Sequence, residues 1–270
     1  MPDKFTLDRQ LLNIRPHILT IFVLLILFSW ENGVLAAPLA DRLEQFPNWH
    51  SKPPVQLAKG DLKYPEWMAG TWDVTSTLVE KTAPLAPEIV SPGFEDNNDY
   101  LNQAIAFRVR FGKEFFIAPG GISSLFRGST PAVVADRAFN GKQIAQAYLG
   151  DDYVYRVSTD PNNPNQQITL LRGERRLVSK ITGRRTEIPG DREFIASEVT
   201  QQLFRSPERL YLNEVETTSD YHLLESDHIE AEQITAIYLS PQDPDYFSAG
   251  DRPVALYRYH LDLHPSLNSD

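Results

Sequence analysis

The sequence predicts an all-β, antiparallel fold, sandwich or barrel, opened by a short N-terminal helix and interrupted by one long lid loop. Three observations carry that expectation. Apolar and polar residues alternate with period two through most of the chain from residue 70 onward. Turn-forming pairs recur at short spacing between the alternating runs. No helix-period segment separates the runs, which argues against a parallel sheet with crossover helices.

The N-terminus comes first. Lys4, Arg9 and Arg15 precede the apolar run Ile18 to Phe28, and Val34 and Ala36 stand at the small-residue positions before a cleavage point. That layout is a secretory signal over residues 1–36, with Ala37 as the new first residue. The run is shorter than the roughly 20 apolar residues that span a bilayer, and an uncleaved anchor is the alternative. Residues 37–63 read as a lead-in. Leu39, Leu43 and Phe46 fall at i, i+4 and i+7, predicting a short amphipathic helix that Pro47 stops. Its stripe either packs on the domain or docks a partner. Residues 64–270 form the β domain.

On the first strand, Asp73 to Val79, Trp72, Val74 and Leu78 share one face. Ile105, Phe107, Val109 and Phe111 alternate with Arg108 and Arg110. Further strands are expected at 115–118, 132–139, 143–149, 153–158, 167–172, 176–182, 193–204, 209–217, 229–239 and 254–263. Turn chemistry separates them, including Pro119-Gly120-Gly121, Asp160 to Pro164 and Pro189-Gly190. Asn140-Gly141 is the best hairpin signal, because both residues tolerate φ > 0. Residues 81–102, with Pro84, Pro87 and Pro92 and the acidic tip Glu95 to Asp99, form the long loop. The tip departs from a calcium loop where Tyr100, Leu101 and Phe107 replace required positions.

The chain carries a net charge of −10 and no cysteine. It therefore forms no disulfide and binds no thiolate-held metal. An acidic chain does not bind nucleic acid through bulk charge. Catalytic signatures for nucleophile elbows, phosphate loops, dinucleotide sites and zinc proteases are absent from the sequence. No cofactor is indicated.

The stretch Tyr64 to Trp72 carries a Gly-x-Trp at the head of the first strand, in Gly70 and Trp72. This resembles the opening of the lipocalin-type, or calycin, barrels. The resemblance implies a β-barrel with Trp72 plugging its closed end and a basic side chain from the last strand, Arg258, packed over it. The chain is also similar to an uncharacterised family of exported cyanobacterial and plastid (thylakoid-lumen) proteins. Leu39-Ala40-Asp41-Arg42, Gly60 to Pro65, Val134 to Asn140 and Tyr257-Arg258-Tyr259 carry that similarity. It implies a thylakoid-lumen or periplasmic setting and no transferable activity.

Candidate chemistry is sparse. His260 and His264 lie four extended steps apart, roughly 13 Å, too far to share an ion, so no metal site is expected. His260 and Asp262 share a face beside Arg258 and read as a solvent-facing polar row or, less simply, as a catalytic or ligand-orienting set. Arg108, Arg110 and Arg137 either face solvent or line a cavity, depending on which sheet face is inner. Residues 172–192 hold seven basic and three acidic residues, and 208–251 hold eleven acidic residues against Arg209 alone. A basic hairpin around Arg184-Arg185 is either a solvated hairpin or a partner surface. Tyr153, Tyr155, Tyr211, Tyr238, Tyr257 and Tyr259 recur on predicted strands, with rings suited either to a pocket for a mostly apolar ligand or to core stacking.

The expected function is therefore non-covalent binding of a small apolar molecule, such as a lipid, pigment or pigment precursor. Phe107, Phe111, Arg137, Tyr153, Tyr155, Tyr238, Tyr257 and Tyr259 are the candidate ligand contacts. Gly70, Trp72 and Arg258 would close the barrel. The alternative is an assembly or stability factor for a photosynthetic membrane complex, a protein partner held through Leu39-Leu43-Phe46 and the basic hairpin.

Overall fold

Trp72 lies buried, 4% exposed, inside a curled antiparallel sheet that wraps into a half-barrel. The computed structural model describes residues 38–113, 132–225 and 228–267. The expected signal segment, the strand expected at 115–118 and the turn at Pro119-Gly120-Gly121 lie outside them.

The elements run in order as α1 (Leu39–Glu44), β1 (Gln56–Leu57), β2 (Gly70–Thr82), β3 (Ala104–Lys113), β4 (Val133–Ala135), α2 (Arg137–Leu149), β5 (Val154–Asp160), β6 (Asn163–Leu171), β7 (Arg175–Gly190), β8 (Glu193–Arg205), β9 (Leu210–Leu223), β10 (Ile229–Leu239), α3 (Tyr246–Ala249) and β11 (Ala255–Pro265). The sheet order is β4-β3-β2-β11-β10-β9-β8-β7-β6-β5, with β1 paired to β7. The first long strand thus pairs with the last, Trp72 opposite Pro265 and Val74 opposite Leu263. From β5 to β11 the strands follow one another as a meander.

β4 and β5 are left as the two edges of this sheet. α2 connects them in sequence and packs against β3 on one side and β5 and β6 on the other. A helix thus spans the opening that further strand pairing would close.

That helix corrects two expected strands and their hairpin. Residues 137–149 are helical, and Asn140-Gly141 lies within the helix. Asp136 caps it, its carboxylate accepting from the Phe139 N–H at 3.0 Å. The inward face of α2 is Arg137, Asn140, Gly141, Ile144 and Tyr148. These positions have helical spacing, but few are apolar, so no hydrophobic stripe announces the helix. The strand expected at 132–139 is only Val133–Ala135. The β7–β8 turn falls at Asp191-Arg192, just beyond the expected Pro189-Gly190.

The inner face carries the largest core cluster. Trp72 and Val74, Val109 and Phe111, Leu261 and Leu263, Phe194 and Ile229 meet there, with Leu62 and Met68 from the lead-in. Gly70 has φ +132°, a conformation only glycine takes readily, as the chain leaves the short turn Glu66–Met68. The turn ends with the Met68 carbonyl accepting from Trp72 Nε1 at 2.9 Å. Residues 81–102 fold over one end: Phe94 packs on Tyr257, and Leu85 and Ile89 pack near α3.

The outer face is largely polar except where α1 covers it. Leu39 and Leu43 are buried there against Ile195, Ile234, Ala236, Tyr238 and Leu256. The lead-in stripe is therefore spent on the protein's own sheet. Beneath it Arg42 holds Glu216 bidentately, Nε to Oε1 at 2.6 Å and Nη2 to Oε2 at 2.7 Å.

Candidate functional site

The concave face of the half-barrel, α2 and Tyr64 line a half-open cavity of about 410 Å³. That is within the usual range of small-molecule sites, roughly 300–1,000 Å³. β2 supplies Val74 and Ser76, β3 supplies Phe107, Val109 and Phe111, and β11 supplies Tyr259, Leu261 and Leu263. Gln233 and Thr235 of β10, Tyr221 of β9, Gln167 of β6 and Ala135 of β4 complete the sheet side. Each strand points alternate residues inward, so these positions follow from register alone.

Its aromatic residues form a packed wall. Tyr64 sits edge-on to Phe111 at 4.7 Å and tilted on Phe194 at 5.6 Å, and Phe194 stacks with Tyr221 at 6.4 Å. The four lining phenols, Tyr64, Tyr148, Tyr221 and Tyr259, all have raised pKa values, burial being the main cause in each. They remain neutral near pH 7 and offer hydrogen bonds without charge.

One corner is ionic. The Arg137 guanidinium meets Asp61 at 2.7 Å and Glu198 at 3.1 Å. Glu198 also accepts from Arg184 at 2.6 Å, and Arg184 donates to Asn165 Oδ1 at 2.9 Å. Burial would lower the Arg137 pKa, but Glu198 and Asp61 outweigh it and hold it above its ordinary value. Two cations thus face two carboxylates, and the corner is charge-balanced.

Four expected contact residues, Phe107, Phe111, Arg137 and Tyr259, come together here. The other four do not. Tyr257 shares the inward face of β11, but the loop covers it: its ring lies 5.9 Å from Phe94 and its hydroxyl accepts from Asn97 at 3.3 Å. Tyr238 lies on the outer face under α1, donating to Glu216 at 2.7 Å. Tyr153 and Tyr155 are exposed on the β5 side, Tyr155 at 66%. Tyr211, raised in the same reading, is on β9 and only half-buried.

The expected closure by Arg258 is corrected. Trp72 pairs with Pro265, whereas Arg258 pairs with Glu80, seven residues or ~23 Å along β11. Arg258 also points to the outer face, where it binds Glu232 at 2.7 Å and lies over Phe46 at 5.6 Å. Trp72 is sealed by Met68 and the lead-in instead. Arg108 and Arg110 face outward too, paired with Asp73 and Asp136.

The sequence does not single out Tyr64, Tyr148, Tyr221, Gln167 or Ile144 as lining residues, and it gives Asn140 and Gly141 only as a turn. Tyr221 lay beyond the expected end of its strand, and Tyr148 sat in an expected strand that is a helix. Tyr64 sits in the Gly60 to Pro65 motif, the one available signal for it.

Residues 56–266 match the family described as a domain of unknown function (DUF6816), and the chain belongs to that family. No curated protein matches the chain. No solved structure matches it.

Proposed function

We propose that this member of the DUF6816 family is a binding protein that holds one small, mostly apolar molecule with an uncharged polar end. A lipid fragment, a pigment or a pigment precursor is the class we favour. The observation that carries this reading is the half-open 410 Å³ pocket on the concave face, walled by Phe107, Phe111, Val109 and Leu261 and fringed by neutral phenols and amides. An apolar wall supplies affinity through burial, and a few placed polar groups supply orientation. Arg137, the cation at the wall, is already neutralised by Asp61 and Glu198, which disfavours an anionic ligand. The pairing of the first long strand with the last supports the calycin-like reading. We place the protein outside the cytoplasm, in a thylakoid lumen or periplasm, on the layout of residues 1–36.

The competing scaffold reading needs free working surfaces. Leu39 and Leu43 are buried on the protein's own sheet, and Arg184 and Arg185 are ion-paired with Glu198 and Glu187. These contacts favour the carrier.

The test is extraction of the natively purified protein with organic solvent, followed by mass and absorption spectra of the extract. Titration with the neutral fluorophore N-phenyl-1-naphthylamine follows, on the native chain and on Ile144→Trp, which fills the cavity from α2. The carrier reading expects an extracted small molecule or one-to-one probe binding, weakened in Ile144→Trp. An empty extract together with no probe binding would overturn it.

A further inference from the structure

On the outer face, far from any role in the cavity, the register brings together three metal-ligating side chains. Asp262 and His264 are two apart on β11 and share a face. Ile229 pairs with Leu263, so His228, one residue earlier, lies across from His264 at the start of β10. The imidazoles of His228 and His264 stack at 4.4 Å, 17° from parallel. Both Nε2 atoms face one oxygen: His228 Nε2 contacts Asp262 Oδ1, and His264 Nε2 lies 3.6 Å from it. One ligand atom from each residue falls within 4.8 Å of the other two.

We propose that His228, Asp262 and His264 form a binding site for a first-row divalent cation, of which zinc is the best match. Two imidazole nitrogens and one carboxylate oxygen, with water completing a tetrahedron, are a zinc ligand set. Ligand atoms around tetrahedral zinc stand ~3.3 Å apart, given bonds of about 2.0–2.1 Å. The Asp262–His264 spacing is already close to that, and the His228–Asp262 contact has to lengthen to admit the ion. Calcium and magnesium, which take oxygen ligands, are poorly served.

The surroundings favour a cation. Glu230 is directly opposite Asp262 and, on its other side, opposite His222. A cross-strand pair of like charges is destabilising, and an ion beside Asp262 offsets it. The His228 backbone is fixed by the turn, its carbonyl accepting from the Leu224 N–H at 2.7 Å. Sequence spacing excluded His260 with His264. The partner it could not supply was His228, which only the β10–β11 register brings into place.

The experiment is calorimetric titration of the untagged, metal-stripped full chain with Zn²⁺, repeated with Co²⁺ while visible absorption is recorded. Variants His228→Ala, His264→Ala and, at the neighbouring Glu193–Asp220–His222 group, His222→Ala are run beside it. All three positions lie toward strand ends, and circular dichroism verifies that the sheet is retained. The proposal expects one Zn²⁺ per chain, a tetrahedral Co²⁺ spectrum, and binding weakened more than about a hundredfold in His228→Ala and His264→Ala, beyond what loss of an outer partner alone causes. His222→Ala should bind as the native chain does. Absence of Zn²⁺ binding, binding unchanged in His228→Ala and His264→Ala, or binding lost only in His222→Ala would each overturn it.

Discussion

Asn140 grips the backbone of Arg110 from both sides. Its Oδ1 accepts from the Arg110 N–H at 2.7 Å, and its Nδ2 donates to the Arg110 carbonyl at 3.1 Å. A side-chain amide thus stands in for a neighbouring strand, and it fastens α2 to the sheet beside the cavity. Asn140→Ala leaves the Arg110 N–H without this partner behind a helix, while the carbonyl keeps the Asp136 N–H at 2.9 Å, so unfolding free energy should fall by about 2 kcal/mol. Urea denaturation measures it. A loss of a few tenths would mean the two bonds are replaced by water.

Gly141 tests the contact of α2 with β6. A Cβ there would lie 2.6 Å from Gln167 Nε2, the movable end of a flexible side chain. Gly141→Ala gains helix propensity of up to about 1 kcal/mol, and moving Gln167 consumes part of it. Stability should therefore change little while the cavity wall changes. Probe affinity altered without a shift in the urea midpoint is the expected pattern; a large drop in stability would contradict it.

Glu216 is fully buried beneath α1 and is satisfied by Arg42, the Tyr238 hydroxyl and the Thr218 hydroxyl. Arg42 in turn stacks on Trp49 at 3.8 Å. Arg42→Met strands a buried carboxylate and should cost about 3 kcal/mol or more. The double variant Arg42→Met, Glu216→Leu should recover most of that loss, because no charge is then left without its partner. Failure of the double variant to recover would assign the cost to packing against Trp49 instead.

Stability should decline on the alkaline side. Burial raises the folded pKa of Tyr64, Tyr148, Tyr221 and Tyr259, and of Tyr238 beside Glu216. Unfolded phenols ionise near pH 10, and the folded ones do not until higher pH. The unfolded chain then binds fewer protons than the native one, so stability is full below about pH 10 and is lost as pH rises toward the folded values. Tyrosinate absorbance should appear for these residues only together with unfolding. Ionisation of all eleven tyrosines before any loss of ellipticity would refute it.

Glu198 serves both Arg137 and Arg184. Glu198→Gln weakens the hold on Arg137 and exposes positive charge to the cavity. If the cavity binds ligand, the anionic probe 1-anilinonaphthalene-8-sulfonate should gain on the neutral naphthylamine by about tenfold, the scale of one charged hydrogen bond. Equal change in both probes would show that Arg137 does not face the ligand.

Much of this architecture was legible because strand faces follow simple alternation. The expected span 229–239 coincides with β10, and Phe107, Val109 and Phe111 share one face as their alternation implies, the face that lines the cavity. α2 was not legible: its inner face carries Arg137, Asn140 and Gly141, whose partners are distant in sequence. The tyrosines divided for a similar reason. Ring type says nothing about face, so Tyr259 reached the cavity while Tyr238 went beneath α1 and Tyr155 to solvent. Arg258 is the last-strand basic residue that the calycin resemblance sets over Trp72, but antiparallel pairing sets Pro265 beside Trp72.

The β2–β11 pairing also dictates when the chain can finish folding. β2 occupies an interior place in the sheet, yet the neighbour it needs at residues 255–265 is made nearly two hundred positions later. Until that segment arrives, β2 has one open ladder, and the hairpins in between can assemble only among themselves. Contacts of such long range slow the search for the native arrangement. A chain cut before residue 255 would carry the rest of the meander and still leave its first long strand without a mate.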